Sequence, residues 1–447
     1  MPYLSSAIGT RQIRRSTYLR YGTEAWHNFV PPYPNPIKWC HQYCEVELGS
    51  QHWRDTRVPF SGPAHLLLPE LILTLLVALN IPRAAKLAGS VALLGFIIHT
   101  FATTTSGESV DEDTLRGATL GNTFFSVIYL IWFNDPMRDF QYLGEEDKSP
   151  LALRPIWSRS YATLCLLRNN RMIGWNVQVS NVPPVKGARA QFLLRRTRQL
   201  LVAYALADVS ESLVRLNRPL YASTSPGGSQ FSPGVIGHLQ KSCCMAIWLF
   251  MTYSVLKLYY VFSSIVAVAL YASRPEDWPD AFGSWKDAYT VRRLWGRTWH
   301  QFFRRYFQQF GSVAVDTLRI PRGTFLSSQV QVYVAFAVSG LLHSFGDLAN
   351  AQTTRAGSFL YFLYNGLAIT FEDVVIKLAK AFGFTGPTTT TRWLGYAWVV
   401  LWVSLSTPVY VDWMYESGMS SKTVLPYSPV REVLLPWIRS AYLTSKA

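Results

Sequence analysis

Apolar residues gather into runs long enough to cross a bilayer, which takes about 20 mostly apolar residues in a helix. Such runs lie at 64–81 ("AHLLLPELILTLLVALNI"), 85–103, 117–133, 242–271, 329–346, 357–376 and 393–411. The run at 242–271 suits one long tilted helix or a helix with an interfacial extension. A further segment, "LLVAYALADVSESLVRL" at 200–216, spans only if Asp208, Glu211 and Arg215 face other helices. The pattern predicts an all-α, polytopic integral membrane protein with about eight transmembrane helices. Residues 1–63 read as an N-terminal polar arm and 64–447 as one membrane domain, with "STSPGGSQFSPG" at 223–234 as a loop.

Composition strengthens this reading. Hydrophobic residues are 49% of the 447 positions and charged residues 15%, against roughly 25% charged in soluble proteins. The formal net charge is +15, but the arginines sit between apolar runs and no nucleic-acid module is visible, so nucleic acid is not an expected partner. Segments 134–199 and 272–328 hold most of the Lys and Arg, and 104–115 is acidic; the positive-inside rule puts the basic segments in the cytosol. The arm carries Arg11, Arg14, Arg15 and Arg20 without an apolar core, so no cleaved secretory signal is expected. The five cysteines form no disulfide framework, and Cys40, His41 and Cys44 could face zinc but lack a second ligand pair.

One segment breaks the pattern. "VRRLWGRTWHQFFRRYFQQF", 291–310, is too basic for a span and too aromatic for a solvated surface. Taken as one helix, Arg293, Arg297, His300 and Arg304 form a stripe at steps of four, three and four. Trp295, Trp299, Phe302 and Tyr306 form a second stripe on the opposite face. Such a helix would lie along the membrane boundary, and spacing alone is also met by a plain interfacial helix in which His300 has no special role.

A second histidine stands inside an apolar run, in "VYVAFAVSGLLHSFGDLA" at 332–349. An ionisable group at membrane depth is costly and usually faces a cavity or a partner, which marks His343. Ser339, His343 and Asp347 share one helix face, but a hydrolase triad needs serine and acid on opposite ring nitrogens, normally from separate elements, and no G-x-S-x-G turn occurs. A third patch, "RNNRMIGWNVQV" at 168–179, holds Arg168, Arg171, Trp175 and Asn176.

Together, "SWKDAYTVRRLWGRTWHQ" at 284–301, "SGLLHS" at 339–344 and "RMIGWN" at 171–176 resemble the wax-synthase-like branch of the membrane-bound O-acyltransferases. The resemblance covers about the C-terminal two thirds of the chain, "LWGRTWHQ" being its specific part, and is nearest to fungal acetyltransferases that act on terpenoid and meroterpenoid natural products. It implies an acyl-CoA donor, an alcohol acceptor and no permanently bound cofactor. It matches His343 to the family's membrane-embedded histidine and His300 to the asparagine or histidine closing the W-G-R-x-W motif. Met172 stands where the family pattern has glycine, and Ser344 where many members have glutamate, with Asp347 as a substitute acid.

The expectation is direct transfer in a ternary complex without metal. His343 takes the acceptor's proton as general base, and His300 holds the acyl group or bonds the developing oxyanion. Arg293, Arg297, Trp299, Gln301, Arg304, Arg171, Trp175 and Asn176 are the candidate residues for the CoA moiety, the arginines suiting phosphate by charge and forked donors. The endoplasmic reticulum membrane is the expected location and a terpenoid the expected acceptor. Competing readings are a long-chain wax-ester synthase, a transporter, a structural subunit, and a terpene cyclase or isomerase. The cyclase needs an acid, and Glu70, Asp208, Glu372 and Asp373 are the chief ones within the runs.

Overall fold

A computed structural model describes residues 56–107, 110–217, 234–349, 357–384, 386–416 and 423–444. The Cys40, His41 and Cys44 group, most of the polar arm and nearly all of the 223–234 loop lie outside the described residues. Every apolar run that suggests a span is helical. Helix α1, Leu68–Ala78, is entered by a π-helical turn at Pro63–Leu67. Then come α2, Arg83–Thr103; α3, Val110–Val127, which runs on as a π-helical stretch Ile128–Phe133; and α4, Ile156–Arg168. Helices α5, Arg189–Leu216, and α6, Gly234–Ala269, pack against each other. The remainder is α7, Arg304–Thr317; α8, Phe325–Ala349; α9, Gly357–Ala381; α10, Thr389–Glu416; and α11, Leu435–Thr444. Among the described residues, the only ladder is a two-residue parallel pairing of Val58–Pro59 with Thr104–Thr105.

Among the described residues, five helices are long and apolar enough to cross a membrane by length and composition alone, beside the roughly eight runs that the sequence suggests: Arg83–Thr103, Gly234–Ala269, Phe325–Ala349, Ser358–Ala381 and Thr389–Val411. The helical stretch Pro63–Ala78 is apolar but short. Helix α3 opens on Asp111, Glu112 and Asp113, and α5 carries charge toward both ends, on either side of an uncharged stretch at 199–207. The acids of α5 do turn inward, as a span would require. Asp208 accepts from the Ser428 hydroxyl and from Val430 N at 2.9 Å; Glu211 accepts from Val424 N at 2.8 Å and from Arg215 Nε at 3.0 Å.

Helix α8 is the hub, touching α3, α7 and α9. Its approach to α3 is closer than side chains allow: a Cβ on Gly117 would stand 2.2 Å from the Phe345 carbonyl oxygen. Small residues let helix backbones approach in this way, which matters most where lipid removes the usual hydrophobic drive to associate. Phe345 then spreads across α3 and α2, its ring 5.2 Å from that of Phe124 and 5.4 Å from that of Phe101. This contact fixes α8 two residues beyond His343.

Gly117→Ala is expected to lower stability by about 1–3 kcal/mol, because the rigid backbone of α8 must move. Gly95→Ala, where a Cβ meets nothing within 4 Å, is the matched control and should hold or slightly raise the melting temperature. Thermal unfolding of both variants in detergent checks the contrast; equal melting temperatures would refute the α3–α8 packing.

Candidate active site

Residues 291–310 do not form one helix, so the two opposed stripes are not realised. A helical turn at Val291–Arg293 passes into a π-helical turn at Leu294–Thr298; the chain then extends at Trp299, with ψ of 157°, and α7 begins only at Arg304. Side chains take over the bonds that a continuous helix would make. Gln301 Nε2 donates to the carbonyls of Trp295, at 2.9 Å, and Trp299, at 2.6 Å, and Arg304 donates to Gly296 O at 2.6 Å. From outside, Gly283 N donates to Thr298 O at 2.9 Å. A Cβ on Gly283 would stand 2.0 Å from the Arg297 carbonyl oxygen, so glycine is what lets the two strands of chain meet. Tertiary bonds therefore outcompete the local helical ladder, and His300 is carried on extended chain.

Helix α9 clamps the start of this segment. Glu372 accepts from the backbone N–H groups of Val291 and Arg292, the second at 3.1 Å, and from Trp398 Nε1 at 3.0 Å. A carboxylate at a helix start satisfies otherwise unpaired amides and favours the local dipole. Asp373 pairs with the Arg292 guanidinium and accepts from Gln329 Nε2 at 2.7 Å. Two turns earlier, Asn365 Oδ1 accepts from Trp295 Nε1 at 3.0 Å. Thus two of the acids a cyclase would have needed hold backbone and arginine instead. The other two are also engaged, Glu70 with Arg168 and Asp208 with Ser428.

The two histidines come from different elements and approach one another. His343, on α8, stacks on Phe362 of α9, with centroids 4.7 Å apart and planes 21° apart, and meets the Tyr410 ring edge-on at 6.3 Å. His300 stacks on Phe302 at 5.0 Å and lies among Trp299, Phe282 and Phe303. Trp295 links the two groups, 5.9 Å from Phe362 and 6.0 Å from Trp299. Burial pulls the His300 pKa down to about 3, and the nearby charge of His343 adds to the effect. The imidazole is therefore neutral at physiological pH. Its Nδ1 is buried without a partner, a costly vacancy for a polar atom. Among the described residues, neither imidazole is hydrogen-bonded to a carboxylate, so both rings remain available to substrate atoms. Both also keep part of their surface uncovered although protein surrounds them, as side chains facing an internal space do.

The other expected site residues divide. Arg297 is exposed beside the motif and pairs with no carboxylate among the described residues; its charge helps lower the pKa of Arg304, after burial. Arg293 reaches Asp287 at 3.4 Å and lies over the Tyr289 ring. Gln301 and Arg304 hold the helix break, and Trp299 packs on Phe282 at 5.5 Å. The third patch is braced internally. Arg171 is buried, donating to Asp280 O at 2.7 Å, Pro279 O at 2.8 Å and Tyr260 Oη at 2.6 Å; burial lowers its pKa. Trp175 packs edge-on to Tyr142, and Asn176 Nδ2 donates to Asp139 O at 2.9 Å. These side chains reach His300 only indirectly, through Tyr260 and Phe302, whose rings lie 5.6 Å apart. Met172 has a φ of +54°, in the left-handed region where glycine is easiest. Asp347 accepts from Ser358 Oγ at 2.7 Å and Ser358 N at 3.2 Å, capping the start of α9 rather than serving His343, and the Ser344 hydroxyl bonds back to Gly340 O at 2.8 Å.

Phe362, Tyr410, Asn365 and Glu372 belong to the surroundings of the histidines; sequence reasoning misses the first three and marks Glu372 only as a possible acid. Their only sequence signal is that polar Asn365 and Glu372 interrupt an apolar run seven residues apart, on one helix face. Glu372→Ala should destabilise the protein by about 2–3 kcal/mol, since it strands buried N–H donors that bonded to a charge. Thermal unfolding in detergent reads this directly, and an unchanged melting temperature would show that α9 does not clamp the motif.

Comparison with known proteins picks out the same stretch of chain. A profile described as the membrane bound O-acyl transferase family matches residues 278–364, the stretch that carries both histidines and the first turns of α9. Acetyltransferase eriL of Hericium erinaceus is 27% identical over 344 residues, covering 75% of this chain and 86% of the relative. Acetyltransferase ple2 of Rhodocybe pseudopiperita is 29% identical over 363 residues, covering 78% and 90%. O-Mevalon transferase macI of Penicillium terrestre is 27% identical over 398 residues, covering 80% and 88%. With helices apolar enough to span a membrane and an enclosed pair of histidines inside the matched stretch, the chain is an O-acyltransferase similar to the membrane-bound O-acyltransferase family.

Proposed function

We propose that the protein transfers an acetyl group from acetyl-CoA to a hydroxyl of a terpenoid or meroterpenoid, in the endoplasmic reticulum membrane. The observation that carries the reading is the pair of enclosed imidazoles, near enough for the charge of one to depress the pKa of the other, with neither committed to a carboxylate among the described residues. The names of two of the relatives support acetyl as the group moved. The aromatic walls around the histidines suit a flat, apolar acceptor better than a polar one.

His343 acts as the general base. As the acceptor oxygen attacks the thioester carbonyl, its proton passes to the imidazole; collapse of the tetrahedral intermediate expels CoA thiolate, which takes up that proton. His300 is neutral, so its ring N–H can donate to the oxygen that gains charge, a contribution worth up to roughly 3–4 kcal/mol in comparable sites. Arg297 offers an exposed guanidinium to the phosphates of CoA, and Arg293, beside Asp287, offers a weaker one. Gln301 and Arg304 act on the donor by holding the turn that presents His300. Arg171, Trp175 and Asn176 brace residues behind it.

Steady-state transfer in detergent micelles tests the assignment, with acetyl-CoA varied at saturating acceptor. His343→Ala should lower kcat by about 10²–10⁴-fold with little change in donor KM. Arg297→Ala should raise the donor KM and leave kcat nearly intact. A folded His343→Ala variant with wild-type kcat would remove the base from the proposal. Comparing acetyl-CoA with a long-chain acyl-CoA decides between acetyl transfer and wax-ester synthesis.

A pH prediction follows from His300. A pKa depressed to about 3 leaves the ring neutral above about pH 5, so its contribution to kcat is constant between about pH 6 and 8. His300→Asn should lower the whole pH–kcat profile without moving its acid limb; a displaced limb would mean that His300 titrates in that range.

A further inference from the structure

Asn365 is buried at 1% exposure inside α9, where an amide must use its bonding capacity or be costly. Its oxygen accepts two indole N–H bonds, from Trp295 Nε1 and from Trp402 Nε1, both at 3.0 Å. Its nitrogen donates to Tyr361 O at 2.8 Å, one turn back on the same helix. One side chain thus joins the motif segment, α9 and α10. The two branches differ in consequence. Trp402 belongs to α10, whose course is set by its own helical bonds. Trp295 sits in the π-helical turn, where the chain has left the α-helical ladder and side-chain bonds add to the few backbone ones that fix its position. From Trp295, packing runs to Trp299 and His300 on one side and to Phe362 and His343 on the other.

We propose that Asn365 is a positioning residue for acyl transfer: by holding the Trp295 indole against α9, it sets the placement of His300 relative to His343. It touches neither substrate and acts through Trp295. This rests on the two histidines forming the acyl-transfer site. Phe362 and Asn365 are one turn apart on α9, so a single rigid element carries both the ring under His343 and the amide that seats Trp295. A shift of Trp295 would change the separation of the imidazoles without altering the exposed arginine that awaits the phosphates of CoA.

The test compares Asn365→Leu, Asn365→Asp, Trp402→Phe, His300→Ala and His343→Ala in the full-length protein in detergent, each first checked for monodisperse elution and cooperative melting. Leucine fills similar volume but accepts no bond, whereas the Asn365→Asp variant keeps an oxygen for the indoles. For Asn365→Leu, kcat should fall about 10–100-fold while both KM values stay within about threefold, as misplacement within an otherwise intact site predicts. Asn365→Asp should recover part of that loss, and Trp402→Phe should stay within about threefold of wild type in kcat. Adding Asn365→Leu to His300→Ala should cost nothing further, since the amide acts through His300.

Should Asn365→Leu fail to fold, Trp295→Phe is the substitute, because it keeps the ring contacts while deleting the N–H that Asn365 accepts; it should reproduce the kcat loss. A folded Asn365→Leu with near wild-type kcat overturns the inference, as does a loss that multiplies fully with that of His300→Ala. In either case an inactive His343→Ala leaves the acyl-transfer reading standing. An active His343→Ala overturns that reading, and the role of Asn365 with it.

Discussion

Backbone that leaves a helix inside a packed apolar protein must pair every N–H and C=O with something other than water. The motif at 291–303 is built around that constraint. Glu372 takes the N–H groups at its start, and Gln301 and Arg304 take carbonyls at its end. Thr298 is paired to the 283–284 chain on both its carbonyl and its hydroxyl. A helix would have met the same demand locally, but it would have pointed His300 along a fixed helical stripe. By assigning the pairing to side chains, the protein frees that stretch to turn His300 inward. Several conspicuous polar residues of the segment are spent on this task, which is why few of its cations remain for an anionic ligand.

The chemistry follows from two unlike supports. His343 rides on a regular helix, fixed from behind by the close approach of Gly117 to the chain at Phe345 and from the front by Phe362. His300 rides on extended chain, fixed by aromatic neighbours and by the bonds around it. Burial keeps His300 uncharged, and the adjacency of a second imidazole makes protonation of both costlier still. The proposed mechanism uses one ring as a neutral donor and the other as a neutral acceptor of protons, on either side of an acyl group. Among the described residues, the carboxylates nearby are already bonded, Glu372 to backbone and an indole, Asp373 to arginine and Asp347 to Ser358, rather than free to protonate an alkene.

Much of the fold was legible because hydrophobic length is a strong signal. Runs of apolar residues at 85–103, 329–346 and 393–411 could be little else than helices. His343 was legible for the same reason, an ionisable group being expensive in such a run. The course of 291–310 was not. Its four-three-four spacing fits a continuous helix as well as it fits the broken one. The bonds that break it come from Gly283 on one side and from Glu372 and Asp373 on the other, partners that no local period reveals. Those two acids looked like candidates for chemistry and are braces; Arg171 looked like a phosphate ligand and is buried against Asp280 and Pro279. Sequence spacing shows which residues are unusual, but tertiary pairing decides whether an unusual residue is structural or reactive.

The central claim is that one acyl group lies between His300 and His343. A cryo-EM structure of the protein with a non-transferable thioether analogue of acetyl-CoA tests it most directly. The account predicts the acyl carbonyl between the two imidazoles, its oxygen within hydrogen-bond reach of His300 at about 2.6–3.2 Å, and the pantetheine leading out past Arg297. An acyl group bound away from both histidines, or a CoA whose phosphates avoid Arg297 and whose thioester stays outside the aromatic enclosure, would contradict it.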